Sequence, residues 1–281
     1  MKYADLHVHT FYSDSTFSPE EVVACASEKA LSAIAICDHD STEGIEPCAR
    51  TGSAMGIEIV PGIELTSEKT DAEIHILGYF MDCSLGWFQR QLGEIRKSRV
   101  VRMHRMVEKL NDRGIDVSAA DVLMLAGKGT VGRLHLAHAM LATGKVKNMY
   151  EVFEKYIGFM KPCYVANIKF SPQEAISMIL KTGGVPVLAH PNVIGMDEYI
   201  PELVEHGLRG IEVYHTDHKP GAIRRYEEMA RKHSLIMTGG SDCHGLGKGR
   251  VLLGGVRVPY SVVEKLKEEA ENIKRTGKAK N

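Results

Sequence analysis

The chain has 281 residues, with 35 Lys and Arg against 36 Asp and Glu, a formal charge of -1 with histidine neutral. So even a balance excludes the basic field behind non-specific nucleic-acid binding and the acidic excess of a disordered tail, leaving room only for local charged pockets. At 44% hydrophobic and 25% charged residues the composition is that of a globular protein, long enough for one large domain or one domain with an insertion.

No stretch approaches the roughly 18 apolar residues of a membrane span. The start, Met1-Lys2-Tyr3-Ala4-Asp5-Leu6-His7, places an acid and a histidine where the apolar core of an export signal would lie, so a cytoplasmic location is expected. Cys25, Cys37, Cys48, Cys83, Cys163 and Cys243 form no C-x-x-C pair and are read as reduced thiols.

Along the chain, short β-branched or apolar runs alternate with amphipathic helical segments, the pattern of βα units. The first strand is expected at 2–8, followed by a helix announced by Ser18-Pro19-Glu20-Glu21, which combines a Ser cap, a Pro and a Glu in the positions of a capping box. Further strands are expected at 33–38, 57–63 and 73–80. From there to Tyr164-Val165 no comparable strand occurs, and Trp87 to Arg113 carries helical periodicity. Residues 100–166 are therefore read as a helical insertion roofing the active site, and 1–99 with 167–281 as the main domain. Across the start of the insertion, Arg96, Lys97, Arg99, Arg102, His104 and Arg105 read as a solvated helix face beside Val100, Val101, Met103 and Met106. A second capping box, Ser171-Pro172-Gln173-Glu174, opens another helix; strands follow at 185–190, 209–214 and 235–240, and the basic end after Asn272 is expected to fray.

Histidines and acids recur at the C-terminal ends of these strands. His7 and His9 end the first, Asp38-His39-Asp40 the second; Glu64 follows the third, His190 ends the fifth, and Asp242-Cys243-His244 follows the seventh. His75 lies inside the fourth. In an α/β barrel such ends share one face, so these residues would converge in a single pocket. Burying so many titratable groups together is costly unless they bind a cation or one another. Imidazole mixed with carboxylate and without thiolate pairs suits Mn, Fe or Zn, and the set exceeds the roughly three to six ligands of one ion, which implies two to three divalent ions. Asp38 and Asp40, flanking His39, are candidates to orient imidazoles.

The segments MKYADLHVHTFYSDST, IAICDHDSTEG, IVPGIELT, HILGYF, LAHP and GGSDCHG, in this order, resemble the PHP (polymerase and histidinol phosphatase) family of metal-dependent phosphoesterases. The resemblance implies a distorted (β/α)7 barrel holding up to three metals. One ion would take His7, His9, Glu64 and Asp242; a second would share Glu64 and add His75 and His190; the third would take Asp14, His39 and His244. Asp14 stands where some relatives carry histidine. Glu64 and Asp242 would also serve catalysis by holding a hydroxide nucleophile between adjacent ions. Thr130-Val131-Gly132-Arg133-Leu134-His135 resembles the phosphate-binding segment of members with a helical insertion, so Arg133 and His135 are expected substrate contacts, with Lys161, His215 and Ser13 as further candidates and His218 as a candidate general acid.

The activity implied is hydrolysis of small phosphate esters, foremost the 3'-phosphate of 3',5'-bisphosphonucleotides. Alternatives are sequential opening and dephosphorylation of a cyclic phosphate diester, histidinol-phosphate hydrolysis, or a metal-binding scaffold without turnover. A small-molecule substrate is expected, with no membrane and no stable nucleic-acid partner; the oligomeric state is not legible.

Overall fold

The computed structural model describes residues 1–70, 72–166 and 170–278. Eight strands form one barrel-shaped sheet in the order β7-β6-β5-β4-β3-β2-β1-β8. They are β1 (Tyr3–Val8), β2 (Ala33–Ile36), β3 (Glu58–Lys69), β4 (Ala72–Tyr79), β5 (Val185–Leu188), β6 (Gly210–His215), β7 (Ile236–Gly240) and β8 (Val258–Pro259). The seven strands expected from the sequence are all present. The two-residue β8, too short for a periodic signal, adds an eighth that pairs antiparallel with β1.

Around the sheet lie α1 (Pro19–Glu28), α2 (Ile45–Met55), α3 (Gly86–Asn111), α4 (Ala119–Ala126), α5 (Arg133–Ala142), α6 (Met149–Val152), α7 (Pro172–Lys181), α8 (Pro191–Ile194), α9 (Ile200–Glu205), α10 (Pro220–Lys232) and α11 (Ser261–Lys278). Both sequence-encoded capping boxes are formed: Ser18 accepts from the Glu21 amide and Ser171 from the Glu174 amide, each glutamate reaching back to the cap. Of the stretch expected to fray after Asn272, residues 273–278 are helical in α11, which buries Val263, Leu266 and Ala270 and packs Ile273 against the barrel core.

Most neighbours run parallel, but β4 is antiparallel to both β3 and β5. The cause is local: β3 and β4 are joined by a tight connection without a helix, which only an antiparallel pair permits. Reversal brings the beginning of β4, with Glu73 and His75, to the end of the barrel where the other strands finish.

The barrel closes at that same end. The Asp242 amide donates to the His7 carbonyl at 2.9 Å and the His9 amide to the Cys243 carbonyl at 3.0 Å. Gly240 permits the approach, since a Cβ there would stand 2.4 Å from the Cβ of His7.

Helix α3 runs unbroken across residue 100, where the insertion was expected to begin. Its first half (Phe88, Leu92, Ile95) packs into the core beneath β3 and β4, and its second half (Met103, Met106, Leu110) into a separate helical cluster with Val122, Leu136, Met140 and Val152. The other expected boundary, at residue 167, lies outside the described residues.

Candidate metal centre and cavity

Several strands leave the ladder just before their chemical residues. β2 ends at Ile36, so Asp38, His39 and Asp40 project from a loop, and β5 ends at Leu188, ahead of His190. Three of these positions adopt strained left-handed backbone: Asp40 (φ 49°), His190 (φ 25°) and Asp242 (φ 52°). Such strain in non-glycine residues persists only where the surroundings enforce it and gathers at functional sites.

Glu64, buried at 1% exposure, is the hub. Its Oε2 lies 3.3 Å from His7 Nε2, 3.3 Å from His9 Nε2 and 3.1 Å from His39 Nδ1. Its Oε1 lies 2.7 Å from His75 Nδ1 and 3.0 Å from His190 Nε2. Asp242 Oδ1 stands 3.1 Å from His9 Nε2, and Asp14 Oδ1 3.1 Å from His244 Nε2. Ligand atoms converge in three groups: His7, His9, Glu64 and Asp242; His9, Asp14, His39 and His244; and His39, Glu64 and His75. His190 belongs to none of these groups; its Nε2 meets Glu64, and its ring lies 5.8 Å from that of His7 and 5.1 Å from that of His75.

The donor set suits divalent cations. His7 Nε2, His9 Nε2, His39 Nδ1 and Asp14 Oδ1 are buried without a hydrogen-bond partner, although each lies close to an acid or imidazole. Unpaired buried polar atoms are expensive, and atoms gathered yet not bonded to one another are what a shared cation would satisfy.

The electrostatics agree. Burial alone would raise the Glu64 carboxyl, but His39, His75 and His7 outweigh it and hold Glu64 well below the ordinary range. Asp242 is likewise held low against burial by Lys248 and His244. Burial, reinforced by the charge of His244, depresses His9 to about 4 and keeps it neutral, the form that ligates.

Supporting bonds hold the rings. Glu212, fully buried, accepts from His7 Nδ1 at 3.1 Å and from the His190 amide at 2.8 Å. Neither Asp38 nor Asp40 touches an imidazole. Asp38 accepts from the Thr10 amide at 2.7 Å and from the hydroxyls of Thr10 and Ser13 at 2.6 Å. Asp40 takes Arg99 Nε at 2.6 Å and the Thr66 amide at 2.9 Å. The imidazole-orienting role expected of these aspartates belongs instead to Glu212 and, through a 3.3 Å contact with His9 Nδ1, to Ser13.

A cavity of about 520 Å³ opens onto this floor, lined by Asp14, His39, Glu64, His75, His190 and His215 among others. Arg133 joins the lining, with Nη2 held by Glu73 Oε1 at 3.0 Å. His215 lines it too, its Nε2 3.5 Å from Asp242 Oδ2.

The remaining candidates lie off the cavity. His218 stands one ring behind His215, its Nδ1 bonded to the Val213 carbonyl at 2.8 Å and its ring against Tyr226. His135 accepts from the Gly132 amide at 3.1 Å and so caps α5. Lys161 faces Glu154 at 3.5 Å.

The basic run on α3 is not wholly a solvated face. Arg99 and Arg102 are buried at 5% and 6%, whereas Val101 is 45% exposed. The two arginines continue the buried stripe of Phe88, Leu92, Ile95, Met106 and Leu110. That spacing of three and four residues was readable in the sequence. Arg102 Nη2 meets Glu73 Oε2 at 2.8 Å, and Glu73 Oε1 also holds His75 Nε2 at 2.9 Å. Lys248, whose Nζ lies 2.6 Å from Asp242 Oδ2, lines the cavity as well. Glu73 sits two residues before His75 on the same strand face, a readable signal; Lys248, in a glycine-rich turn, offers none.

The PHP domain profile matches residues 5–162. The chain is 31% identical over 252 residues to a 3',5'-nucleoside bisphosphate phosphatase of Chromobacterium violaceum, covering 87% of this chain and 88% of that one. It is 32% identical over 247 residues to the 5'-3' exoribonuclease Rnm of Escherichia coli, covering 85% and 84%. It is 29% identical over 259 residues to a phosphoribosyl 1,2-cyclic phosphate 1,2-diphosphodiesterase of Eggerthella lenta, covering 91% and 98%. Among solved structures, a candidate metal-dependent phosphoesterase from Bifidobacterium adolescentis superimposes with a TM-score of 0.87 at 30% identity, over 95% of this chain and 96% of that one.

Proposed function

We propose, from the premise that this chain belongs to the PHP domain family and is a hydrolase of phosphate esters, that it removes the 3'-phosphate of a 3',5'-bisphosphonucleotide. One observation carries the reading: a cavity of about 520 Å³ joins a histidine and carboxylate floor to a side bearing Arg102 and Arg133. That volume falls within the range of roughly 300–1,000 Å³ typical of small-ligand sites.

The residues proposed to hold two to three divalent ions (Mn, Fe or Zn) are His7, His9, Asp14, His39, Glu64, His75, His190, Asp242 and His244. When bound, such ions supply a water of lowered pKa and neutralise charge on the phosphoryl group. Glu64 and Asp242, ionised by their neighbours, would hold the ions. Arg133 offers its planar fork to two phosphoryl oxygens, already aimed by Glu73, and Arg102 adds charge beside it.

Proton delivery to the leaving oxygen falls to His215 at Nε2 rather than to His218. Burial lowers the His215 pKa, but Asp242 and Glu212 outweigh it and raise it above its ordinary value, the direction a proton donor needs. Residues 100–166 are proposed as the part that selects the ester, since they supply Arg102, Arg133 and much of the cavity wall.

A cyclic phosphate diester is the second reading, favoured by the near-complete coverage of the Eggerthella lenta relative. The test is phosphate release by Mn-reconstituted protein from a bisphosphonucleotide, a nucleoside monophosphate, histidinol phosphate and a ribose cyclic phosphate. Release from the bisphosphonucleotide alone is expected; selective turnover of the cyclic ester would overturn it. His9→Ala and Asp242→Ala are expected to lose metal, read by elemental analysis, and with it turnover. Arg133→Ala is expected to raise KM with metal retained. Full activity in His9→Ala would refute the mechanism.

A further inference from the structure

The charged groups of the cavity account for a phosphate but leave one side of it unexplained. Leu134, Met149, Phe153, Phe159 and Val193 also line the space, the first four from within residues 100–166 and Val193 from α8. Phe159 is 43% exposed and Val193 61% exposed. Neither is needed to close a core, and water gains nothing from either.

The backbone goes to some length to present Phe159. Residues Phe153–Ile157 form a π-helical turn in which the Gly158 amide donates to the Phe153 carbonyl at 3.0 Å. A Cβ on Gly158 would lie 2.3 Å from that carbonyl oxygen, so only glycine lets the turn end so tightly. Met160, on the other side of Phe159, is held at φ 59°. A π turn, a glycine-only contact and a strained non-glycine residue within eight residues of Phe153 fix the direction of one exposed aromatic ring. Phe159 and Tyr164 form a T-shaped pair, at 5.8 Å between centroids and an interplanar angle of 88°, a contact that covers at most one face of the Phe159 ring. The Arg133 guanidinium carbon lies 5.8 Å from the Tyr164 ring and 6.0 Å from the Phe153 ring, so the arginine and the aromatic wall are one continuous surface.

We infer that Phe159, with Val193, is the specificity element for a planar heteroaromatic ring carried by the ester, the nucleobase of the substrate. A flat base stacking on Phe159 would leave its phosphate near Arg133 and the histidine floor, whereas a cyclic ribose phosphate has no planar base to place there. Stacking on an aromatic side chain tolerates any base, so discrimination is expected between esters with and without a base rather than among bases. This rests on the nucleotide reading above.

The test compares wild type, Phe159→Ala and Phe159→Tyr as full-length Mn-reconstituted protein. Substrates are 3',5'-bisphosphoadenosine and the corresponding base-free ribose bisphosphate. Phe159→Ala is expected to raise KM for the adenosine ester roughly ten- to hundredfold, with kcat and the base-free KM unchanged, and Phe159→Tyr to restore it. An equal change for both substrates, or none, would overturn the inference. Equilibrium dialysis with adenosine separates the two readings. If no nucleotide releases phosphate, yet adenosine binds wild type and not Phe159→Ala, the phosphatase reading fails and the ring site stands. If nucleotides are hydrolysed with no dependence on Phe159, the ring site fails alone.

Discussion

At Glu73 a single buried carboxylate faces Arg102 at 2.8 Å, Arg133 at 3.0 Å and His75 at 2.9 Å. Burial would raise its pKa, but Arg133 and Arg102 outweigh it and hold the group well below the ordinary range. Removing one partner of a buried ion pair leaves the other desolvated and uncompensated, at a cost of about 3–5 kcal/mol. Glu73→Ala is therefore expected to lose stability of that order in urea unfolding, with Arg102→Met in the same chain recovering part of it. An unchanged midpoint would show that Arg102 finds other partners. The residue scale is also where the sequence was most and least informative. His7 and His9, two apart on a strand, announce themselves because histidine is rare and costly to bury. Lys248 does not, because a long cationic side chain in a glycine-rich turn looks the same in a sequence whether it snorkels to water or reaches a carboxylate.

Between elements, α11 is tied to β3 by Lys267, whose Nζ lies 2.6 Å from Glu58 Oε1, and by the Tyr260 hydroxyl on the same carboxylate. Burial works to raise Glu58, but Lys267 and Tyr260 outweigh it, leaving it below its ordinary value. A depressed carboxyl contributes stability above its unfolded pKa of about 4.3, and that stability is lost as pH falls through the folded value. Half-exposed, the pair is screened, so Lys267→Met is expected to cost under about 1 kcal/mol at pH 7. The difference from wild type should shrink as pH falls below the ordinary carboxylate range, followed by thermal unfolding across pH. A difference that grew on acidification would refute the sign. Elements with local causes were legible: the capping boxes of α1 and α7 are written in four consecutive residues each. The reversal of β4 and the pairing of β8 were not, because strand direction and a two-residue ladder depend on partners distant in sequence.

For the whole molecule, a cluster of unpaired imidazoles and carboxylates at the barrel's closing end makes stability depend on occupancy. A ligand that binds only the folded state at a hundred times its Kd adds about 2.7 kcal/mol. Chelation of Mn-reconstituted protein is therefore expected to lower Tm by roughly 5–10 °C, reversed on adding Mn, as read by differential scanning fluorimetry. No shift on chelation, with metal loss confirmed by elemental analysis, would mean that the cluster is satisfied by its own contacts.

The closure of β1 against β7 ties together residues as far apart as Asp5 and Ser241, 236 positions along the chain. During synthesis from the N-terminus, His7 and His9 emerge well before Asp242 and His244. Domains fold as units as the chain emerges. A ribosome that has made everything up to β6 has thus exposed most of the ion-binding groups without the strand that gathers them. Loading of the proposed centre would thus have to follow the synthesis of β7, and a chain stopped before that strand would carry the histidines without being able to gather them.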